Sequence, residues 1–375
     1  MKISTLQENI KNGLSLVGHL AGKNINLPIL NNILIEAKSG IIKLVSTNLE
    51  IGITCLIRGR IEKEGSLTVN AKIINDYISL LANKKINIEN NDKKLLIHSD
   101  NYKTIIKSEK ADEFPLIPQI NKDTYFKARI IDFKKALNQT IFAVSNSETR
   151  VELSGVLFIF NKDKLTMVAT DSFRLAEKQI ELKSNTETEN KIIIPAKTLQ
   201  ELSRILTNLK DEQVGDSNQE IEFYVSDNQI LFTIGSVELI SRVIEGQYPD
   251  YKQIIPNNTK TEIIINRSEF IRAIKAASIF SKTDVNDINL DFPLEKNVSV
   301  ISSSSGQSGE NTTELESKIK GNDNGIVVNY RYLLEGVNNI NSENIIIKIV
   351  DNSTPCILQA EDDDSYLYIV MPIKQ

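Results

Sequence analysis

The chain has 375 residues, of which 41% are hydrophobic and 25% are charged, and these fractions are typical of a folded protein rather than a disordered one. No apolar run reaches the roughly 18 residues that span a bilayer, so a cytoplasmic protein is expected. The two cysteines, Cys55 and Cys356, lack the spacing of a zinc site or a disulfide framework, and we expect both to be reduced core thiols.

A short apolar strand followed by an amphipathic helix recurs six times along the chain, which indicates three similar domains that are each internally doubled. The strand segments and the helices that follow them are 2–4 and 6–20, 66–69 and 73–81, 126–128 and 133–144, 192–194 and 199–206, 262–265 and 270–280, and 326–328 and 332–337. The helix assignments rest on apolar side chains spaced by three or four residues. In the first and fourth helices these are Ile10, Leu14, Val17, Leu20, Leu199, Leu202, Ile205 and Leu206.

Segments rich in β-branched residues alternate with these helices and predict strands at 86–88, 95–98, 221–225, 230–234 and 345–350. Hairpin turns are expected at 90–92 and 226–228, where Asn, Asp and Ser cluster. The segments 184–190 and 302–313 are rich in polar and small residues, and both are predicted to be soft loops, the second one mobile. Turn-rich stretches then divide the chain into domains 1–122, 123–254 and 255–375, with an α+β fold class.

Positive charge is concentrated on the predicted helices, although the net charge of -5 alone argues against a nucleic-acid partner. Six helix windows contain 15 Lys and Arg but only 6 Asp and Glu; they are 5–23, 71–85, 131–147, 195–210, 267–282 and 329–340. The windows therefore carry +9 and the rest of the chain carries -14. Basic helix faces are often only solvated, but recurrence in nearly every copy favours a shared role.

No GxSxG, HExxH, P-loop or GxGxxG pattern occurs in the sequence, and His19 and His98 are the only histidines. His19 could face a phosphate, but a surface or partly packed histidine is the simpler interpretation. The acidic run 361–364 could bind a divalent metal, but a solvated hairpin turn is the simpler interpretation there. A metal-dependent hydrolase that uses Asp171 with the run 361–364 is one alternative function, and a monomeric peptide-binding scaffold is another.

The segment 169–176, Ala-Thr-Asp-Ser-Phe-Arg-Leu-Ala, strongly resembles the bacterial sliding clamp family, the beta subunit of DNA polymerase III. Four further segments resemble that family in the correct order: 27–32, 114–115, 248–251 and 368–372. The resemblance implies three domains of the DNA clamp fold, with two chains joined head to tail in a ring. Helices would then line the central hole and antiparallel sheets would form the outside.

The resemblance implies a non-enzymatic processivity factor that encircles double-stranded DNA and needs no cofactor and no resident metal. Its expected partners are a second copy of the chain, the catalytic subunit of DNA polymerase III, a clamp loader, and other replication and repair proteins that carry a clamp-binding peptide. The basic helix faces suggest the DNA-facing residues Lys11, Lys23, Asn24, Lys72, Lys135, Lys197, Arg204, Arg272 and Lys275.

By the same resemblance, a hydrophobic groove binds the partner peptides, and Arg174 helps to orient them. Its matching positions are Leu153, Thr170, Ser172, Phe173, Arg174, Leu175, Pro249, Gln253, Ile254, Ile369, Met371, Pro372 and Ile373. The chain departs from the family at Ser172 and Phe173, where Gly-His is usual, and at Gln253, where a basic residue is frequent. Peptide binding should therefore depend more on apolar anchors than on acidic residues.

The resemblance also places a dimer seam between a first-domain strand and the third domain. The strand contributes Lys103, Thr104, Ile105 and Ile106, and the third domain contributes Ile279 and Phe280. Pairing would satisfy two free sheet edges together. The alternative is that Ile279 and Phe280 belong only to the core of their own domain.

Overall fold

The structure is a computed structural model, and the residues it describes are 1–22, 25–147, 149–209, 220–306 and 308–374. The helices in these ranges are α1 (Gln7–Val17), α2 (Ala71–Leu80), α3 (Ile130–Thr140), α4 (Ala196–Asn208), α5 (Arg267–Ser278) and α6 (Tyr330–Asn339). Five of these helices fall within the predicted windows, and α3 begins one residue before the window 131–147. No helix in the described ranges is both long enough and apolar enough to cross a membrane.

The same ranges contain strands that alternate with the helices in the repeated order. The strands are β1 (Lys2–Leu6), β2 (Asn32–Lys38), β3 (Ile41–Thr47), β4 (Ile51–Ile57), β5 (Arg60–Lys63), β6 (Gly65–Asn70), β7 (Lys85–Asn91), β8 (Lys94–Ser99), β9 (Tyr102–Glu109), β10 (Phe126–Arg129), β11 (Gly155–Phe160), β12 (Lys164–Thr170), β13 (Arg174–Glu181), β14 (Lys183–Ser184), β15 (Asn190–Pro195), β16 (Glu220–Val225), β17 (Gln229–Ile234), β18 (Val237–Arg242), β19 (Thr261–Asn266), β20 (Asp287–Phe292), β21 (Val298–Ser305), β22 (Gly309–Gly321), β23 (Asn324–Asn329), β24 (Asn344–Ile349), β25 (Cys356–Ala360) and β26 (Tyr366–Val370).

Two compact units divide the chain. The first unit comprises Met1–Ile131, Lys183–Thr186 and Gln200–Val243. Its strands form one sheet in the order β14-β10-β16-β17-β18-β4-β3-β2-β6-β9-β8-β7-β1-β5. The strand pairs of this sheet are antiparallel, and β4 pairs with β18 so that Ile51 lies opposite Ser241.

The second unit comprises Asp132–Leu182, Glu187–Leu199 and Ile244–Gln375. Its sheet has the order β15-β11-β12-β13-β26-β25-β24-β19-β22-β21-β20-β23. Here β13 pairs with β26, and Leu175 lies opposite Ile369. The β4–β18 pair in the first unit and the β13–β26 pair in the second therefore join strands from distant parts of the chain into one sheet.

The helices form where the spacing of apolar residues predicts them, and their apolar faces are buried. In α4, the side chains of Leu199, Leu202 and Ile205 have no exposed area. Three helices begin directly after a strand that ends in Asn, and in each case the Asn side chain accepts a hydrogen bond from a backbone N–H of the first turn. For α5, the distance from Glu269 N to Asn266 Oδ1 is 3.1 Å.

Cys55 and Cys356 are buried free thiols, as expected. Burial raises the pKa of each to about 12, because a thiolate is poorly solvated in an apolar interior. Both cysteines therefore act as small apolar core residues.

The prediction of a mobile loop at 302–313 is wrong. This segment belongs to a hairpin in which β21 pairs with β22 from Val298 opposite Glu316 to Ser305 opposite Gly309. The polar composition was misleading, because an exposed two-stranded ribbon has few side chains to bury and tolerates Ser, Thr and Asn. The other soft segment, 184–190, has no regular structure from residue 185 to residue 189.

Candidate functional site

A tight turn between β12 and β13, here called the groove turn (Thr170–Arg174), presents an exposed aromatic side chain. The Asp171 carboxylate accepts hydrogen bonds from the backbone N–H groups of Phe173 and Arg174, at 2.9 and 3.0 Å. The Thr170 hydroxyl donates to the Arg174 carbonyl at 2.6 Å. Ser172 has φ +80°, a backbone conformation that glycine adopts more easily. The turn leaves 59% of Phe173 exposed.

An apolar cluster lies under this turn in the second unit. Leu175 and Ile369 face each other across the β13–β26 pair and are fully buried. Tyr251 is buried in the same cluster, and Tyr248 and Ile254 pack against it. The Met371 N–H donates to the Phe173 carbonyl at 2.9 Å, which ties the chain after β26 to the groove turn. Five of the predicted groove residues are thus brought to one region: Phe173, Leu175, Ile254, Ile369 and Met371.

The remaining predicted groove residues lie at the end of β12, in short 3₁₀ turns and in connecting segments. Leu153 and Thr170 are buried, and the Gln253 amide donates to the Asp250 carboxylate at 2.9 Å. After Met371 the chain runs along β23, where Pro372 lies opposite Val328. Ile373 lines a separate cavity of about 860 Å³ and is not part of the apolar cluster. Pro249 precedes the short 3₁₀ turn Tyr251–Ile254.

Arg174, which was predicted to orient a peptide, makes its hydrogen bonds within the protein. Its side chain is 9% exposed, and its N–H groups donate to the Asp171 and Glu335 carboxylates and, at 2.9 Å, to the Phe142 carbonyl. The guanidinium also lies over the ring of Tyr332, 4.8 Å from its centroid. These contacts connect the groove turn to α6 and to the segment at Phe142.

Tyr332 was missed by the sequence analysis as a site residue. Its ring stacks on Phe173 with 6.2 Å between centroids and 15° between planes. Helix α6 brings it there, and Gly336 of this helix lies so close to the Tyr368 ring that a Cβ would be 2.0 Å from it. Only the helical spacing around Leu333 was visible in the sequence, so no local pattern could show that Tyr332 meets Phe173.

The predicted DNA-facing residues that the structure describes all lie on helices. Lys11, Lys72, Lys135, Lys197, Arg272 and Lys275 have exposed side chains. Some of them have acidic neighbours; for example, the Lys72 ammonium is 2.5 Å from the Asp76 carboxylate. Lys23 and Asn24 lie outside the described residues. Six separate helix positions therefore offer cationic groups to solvent.

Arg204 does not offer its charge to solvent as the other six do. It donates to the carbonyls of Ser15 and Leu16 at 3.1 and 2.5 Å and to the Glu201 carboxylate at 2.6 Å. These carbonyls lie in the last turn of α1, which attracts cations because its carbonyl groups lack helical partners. The exposed His19 ring is 2.6 Å from the other Glu201 oxygen, so its partner here is a carboxylate.

The predicted seam residues of the first unit lie on a free strand edge. Residues Lys103–Ile106 of β9 pair with β8 on one side, whereas β9 meets β6 only at Ser108 and Glu109. Among the described residues, the other edge of β9 therefore has unpaired backbone groups. Ile105 is 62% exposed there, beside a hollow of about 500 Å³ that Ile73 and Tyr77 also line.

In the second unit, Ile279 and Phe280 follow the last turn of α5 and are not part of a strand. Ile279 is 70% exposed, and the Phe280 ring lies beside Gly309 at the start of β22. The first half of β22 pairs only with β21, and its second half pairs with β19. Among the described strands, the free edge near the predicted residues is thus β22.

The acidic residues of the hydrolase alternative have structural partners. The run 361–364 forms the turn between β25 and β26, as the simpler interpretation expected. Asp363 accepts a hydrogen bond from the buried Lys178 ammonium at 2.9 Å, and Asp171 binds Arg174 at 3.0 Å. No group of three or more potential metal ligands occurs among the described residues.

Comparison with known proteins gives consistent matches along the chain. Family models of the DNA polymerase III beta subunit match in order, the N-terminal domain at residues 1–118, the central domain at 130–250 and the C-terminal domain at 252–374. The beta sliding clamps of Staphylococcus epidermidis and Staphylococcus aureus are each 30% identical over 358 residues, which is 93% of this chain and 92% of the relative.

Solved structures agree with these matches. The DNA polymerase sliding clamp from Bacillus subtilis is similar with a TM-score of 0.92 and 26% identity, covering 100% of this chain and 99% of that one. The beta subunit from Thermotoga maritima has a TM-score of 0.89 at 26% identity, again covering 100% and 99%. Since three domain models match in order and the whole fold is shared, the chain belongs to the DNA polymerase III beta subunit family, the beta sliding clamps.

Proposed function

We propose that two copies of this chain close head to tail into a ring of six domains that encircles double-stranded DNA in the cytoplasm. The ring slides without reading sequence and tethers the catalytic subunit of DNA polymerase III, so that a polymerase that releases its template stays close to it. The chain acts without catalysis, and a separate clamp loader opens the ring. The three domains are taken as 1–122, 123–254 and 255–375.

The observation that carries this proposal is the placement of exposed basic side chains on the helices. Duplex DNA has one negative charge per roughly 1.7 Å of its axis, so a lining of cationic groups attracts it equally at every register. Lys and Arg have flexible stems and can follow phosphates without base contacts. The excess of acidic residues elsewhere in the chain repels DNA from the other surfaces.

Topological retention on DNA is the experiment that tests enclosure. The clamp is loaded onto a nicked circular plasmid by its loader, and the protein that remains bound is measured by gel filtration before and after the plasmid is cut once. Enclosure predicts retention on the circle and rapid loss from the linear product. Equal retention on both forms would contradict it and would favour a scaffold that never surrounds DNA.

Removing three helix charges should weaken the electrostatic attraction to DNA. For Lys11→Gln, Lys72→Gln and Lys197→Gln combined, we expect the slope of log affinity against log salt to fall by up to about 3, because each lost phosphate contact contributes about 0.9. Fluorescence anisotropy with a short labelled duplex measures the slope. The control combines Lys38→Gln, Lys94→Gln and Lys164→Gln, which remove the same charge from exposed strand positions; an equal effect of both triples would contradict a helix-lined DNA path.

The dimer seam is proposed to join the free edge of β9 in one copy to the free edge of β22 in the other. Both edges have backbone groups that a new antiparallel pair would satisfy. Their charges are complementary, since Lys103 and Lys107 are exposed on β9 while Glu310, Glu314 and Glu316 are exposed on β22. Ile105 from the first edge would then be buried beside Ile279 and Phe280.

The apolar cluster beside the groove turn is proposed to bind the short peptides of the polymerase, the loader and repair proteins. Phe173 and Tyr332 form an aromatic wall, and Met371 adds an adaptable apolar side chain. The Arg174 guanidinium is paired with the Asp171 and Glu335 carboxylates, and Gln253 is neutral, so neither side chain provides an unpaired charge for an acidic peptide residue. Apolar anchors should therefore dominate binding.

This preference can be measured with a labelled clamp-binding peptide from the cognate polymerase subunit. Phe173→Ala should weaken binding about fivefold to tenfold, because an aromatic contact of about 1 kcal/mol is lost together with buried area. In the peptide, replacing an apolar anchor by Ala should cost much more affinity than replacing an acidic residue. Gln253→Lys is the matched variant and should increase the effect of the acidic residue. Equal losses for both peptide changes on the unaltered protein would contradict the preference.

A further inference from the structure

The turn between β3 and β4, here called the first-unit turn (Thr47–Ile51), repeats the construction of the groove turn. The Asn48 side chain accepts hydrogen bonds from the backbone N–H groups of Glu50 and Ile51, at 3.0 and 2.8 Å. The Thr47 hydroxyl donates to the Ile51 carbonyl at 2.8 Å, and the same hydroxyl accepts a hydrogen bond from the Leu49 N–H at 3.0 Å. Leu49 has φ +77°, against +80° for Ser172 at the same place in the groove turn.

In both units, the strand that follows the turn pairs with a strand from a distant part of the chain, and a residue at or just after the end of that partner strand donates a hydrogen bond to the turn. Next to the first-unit turn, β18 pairs with β4, and the Arg242 N–H donates to the Glu50 carbonyl at 3.0 Å. The Met371 N–H makes the same bond to the Phe173 carbonyl in the second unit, at 2.9 Å. Glu50 therefore corresponds to Phe173, and Arg242 corresponds to Met371.

A cleft beside the first-unit turn has an apolar floor and exposed apolar side chains at its mouth. It has a volume of about 240 Å³, and Ile51, Ile117 and Ile240 are among its lining residues. Leu49 and Leu116 also line it and are 48% and 95% exposed. A nearly fully exposed leucine next to a cleft is an apolar surface without a partner in the isolated chain.

The chemistry of this cleft differs from that of the groove in a way that specifies its ligand. The aliphatic floor suits a leucine-sized anchor, since no aromatic wall is present at its mouth. Arg242 has the position that Met371 has in the groove, and it is exposed. Gln229 lies opposite Arg242 across the β17–β18 pair. Glu50 also lines the cleft and is exposed, so a carboxylate next to the anchor would lie on the side of Arg242 and pair with the guanidinium in a bidentate geometry.

We propose that this cleft is a second peptide-docking site, which takes an extended peptide with a leucine anchor adjacent to an acidic residue. The inference rests on the proposed peptide groove for its analogy, but it concerns a different cleft with its own residues. Two sites per chain with different preferences would let a partner with two motifs, or two partners, occupy one clamp at once.

Methyl NMR on the full-length protein labelled at isoleucine δ1 methyl groups tests the proposal, because the two sites have separate reporters. Ile117 and Ile240 report on the cleft, and Ile254 and Ile369 report on the groove. The probe is the capped tripeptide acetyl-Asp-Leu-Leu-amide, and acetyl-Lys-Leu-Leu-amide is its charge-reversed control. We expect the first peptide to shift the cleft reporters with a Kd on the order of 1 mM or tighter, and the control to bind at least about tenfold more weakly.

Two exposed substitutions separate the sites without disturbing the core. Leu116→Ser and Arg242→Glu should each weaken the response of the cleft reporters about tenfold or more and leave the groove reporters unchanged. Phe173→Ser should have the opposite pattern. Groove reporters that respond while Ile117 and Ile240 remain unmoved would overturn the second site alone, and silent groove reporters would count against the groove instead. Cleft shifts that grow with protein concentration without peptide would assign the cleft to contacts between copies and would also overturn the proposal.

Discussion

Ile105→Asp should convert the dimer to monomers at concentrations at which the unaltered protein is fully dimeric. Ile105 is 62% exposed in the isolated chain, so the substitution should leave the fold intact. In the proposed ring its side chain becomes buried at both seams, and a buried carboxylate without a partner costs about 3 kcal/mol at each, which together raise the dimer Kd by a factor on the order of 10⁴. Loss of the closed ring should also abolish retention on circular DNA.

Size-exclusion chromatography coupled to small-angle scattering measures this outcome. The unaltered chain should give a hollow particle of twice 42.1 kDa, and the variant should give a compact particle of 42.1 kDa. Ile41→Asp is the matched control, because Ile41 is 44% exposed on β3 and lies outside the proposed seam. A variant that remains dimeric would contradict the placement of the seam on β9, and an unaltered chain that is monomeric would contradict the ring itself.

Asp363→Asn should be strongly destabilising, because Asp363 neutralises the buried ammonium group of Lys178. Lys178 is 4% exposed, and its Nζ atom is 2.9 Å from the Asp363 carboxylate. Leaving that charge without a carboxylate should lower the free energy of unfolding by about 3 kcal/mol at neutral pH. Lys178→Met removes the buried charge itself, and the Asp363 side chain is 25% exposed, so this control should cost about 1 kcal/mol or less.

The free energy of unfolding should also depend on pH differently in Asp363→Asn and in the unaltered protein. Burial lowers the pKa of Lys178, and the Asp363 carboxylate partly offsets this, so removing Asp363 should lower that pKa further. In the variant, folded Lys178 therefore loses its proton before unfolded Lys178 does, and stability should recover as pH rises toward about 10. Burial of Asp363 raises its pKa, but hydrogen bonds from Ser365 and Lys178 outweigh this and hold the pKa below its usual value. The unaltered protein should accordingly lose this contribution only in acid, as pH falls below about 4.

Urea unfolding at pH 7 and at pH 9.5, followed by circular dichroism, checks both statements. The difference between Asp363→Asn and the unaltered protein should be smaller at the higher pH. A loss that is the same at both pH values, or the same for Asp363→Asn and Lys178→Met, would show that Lys178 does not remain charged and dependent on Asp363 in the folded state.

Much of the fold could be predicted because helices and strands depend on local patterns. The spacing of Leu199, Leu202 and Ile205 predicts α4 and its buried face, and both properties are confirmed. The mobile loop at 302–313 is the clearest error. Its residues form a hairpin because β22 continues into a second pairing with β19, and a composition rich in Ser and Asn does not reveal that support.

The candidate site could be predicted only in part. Leu175 and Ile369 were both named from the family resemblance, and the structure places them opposite each other. The pairing of Arg174 with Asp171 and Glu335 and the stacking of Tyr332 on Phe173 were not predicted. They depend on α6, whose Glu335 is 161 positions from Arg174.

By itself, the sequence determined the sixfold repeat, the alternation of strands and helices, and the concentration of positive charge on the helices. These properties follow from periodicity and composition, which act over a few residues at a time. The tertiary structure decided which charges remain available, because Arg174 and Arg204 meet carboxylates and carbonyls contributed by distant segments. It also decided which strand edges stay open, since an edge is free only if no other part of the fold pairs with it.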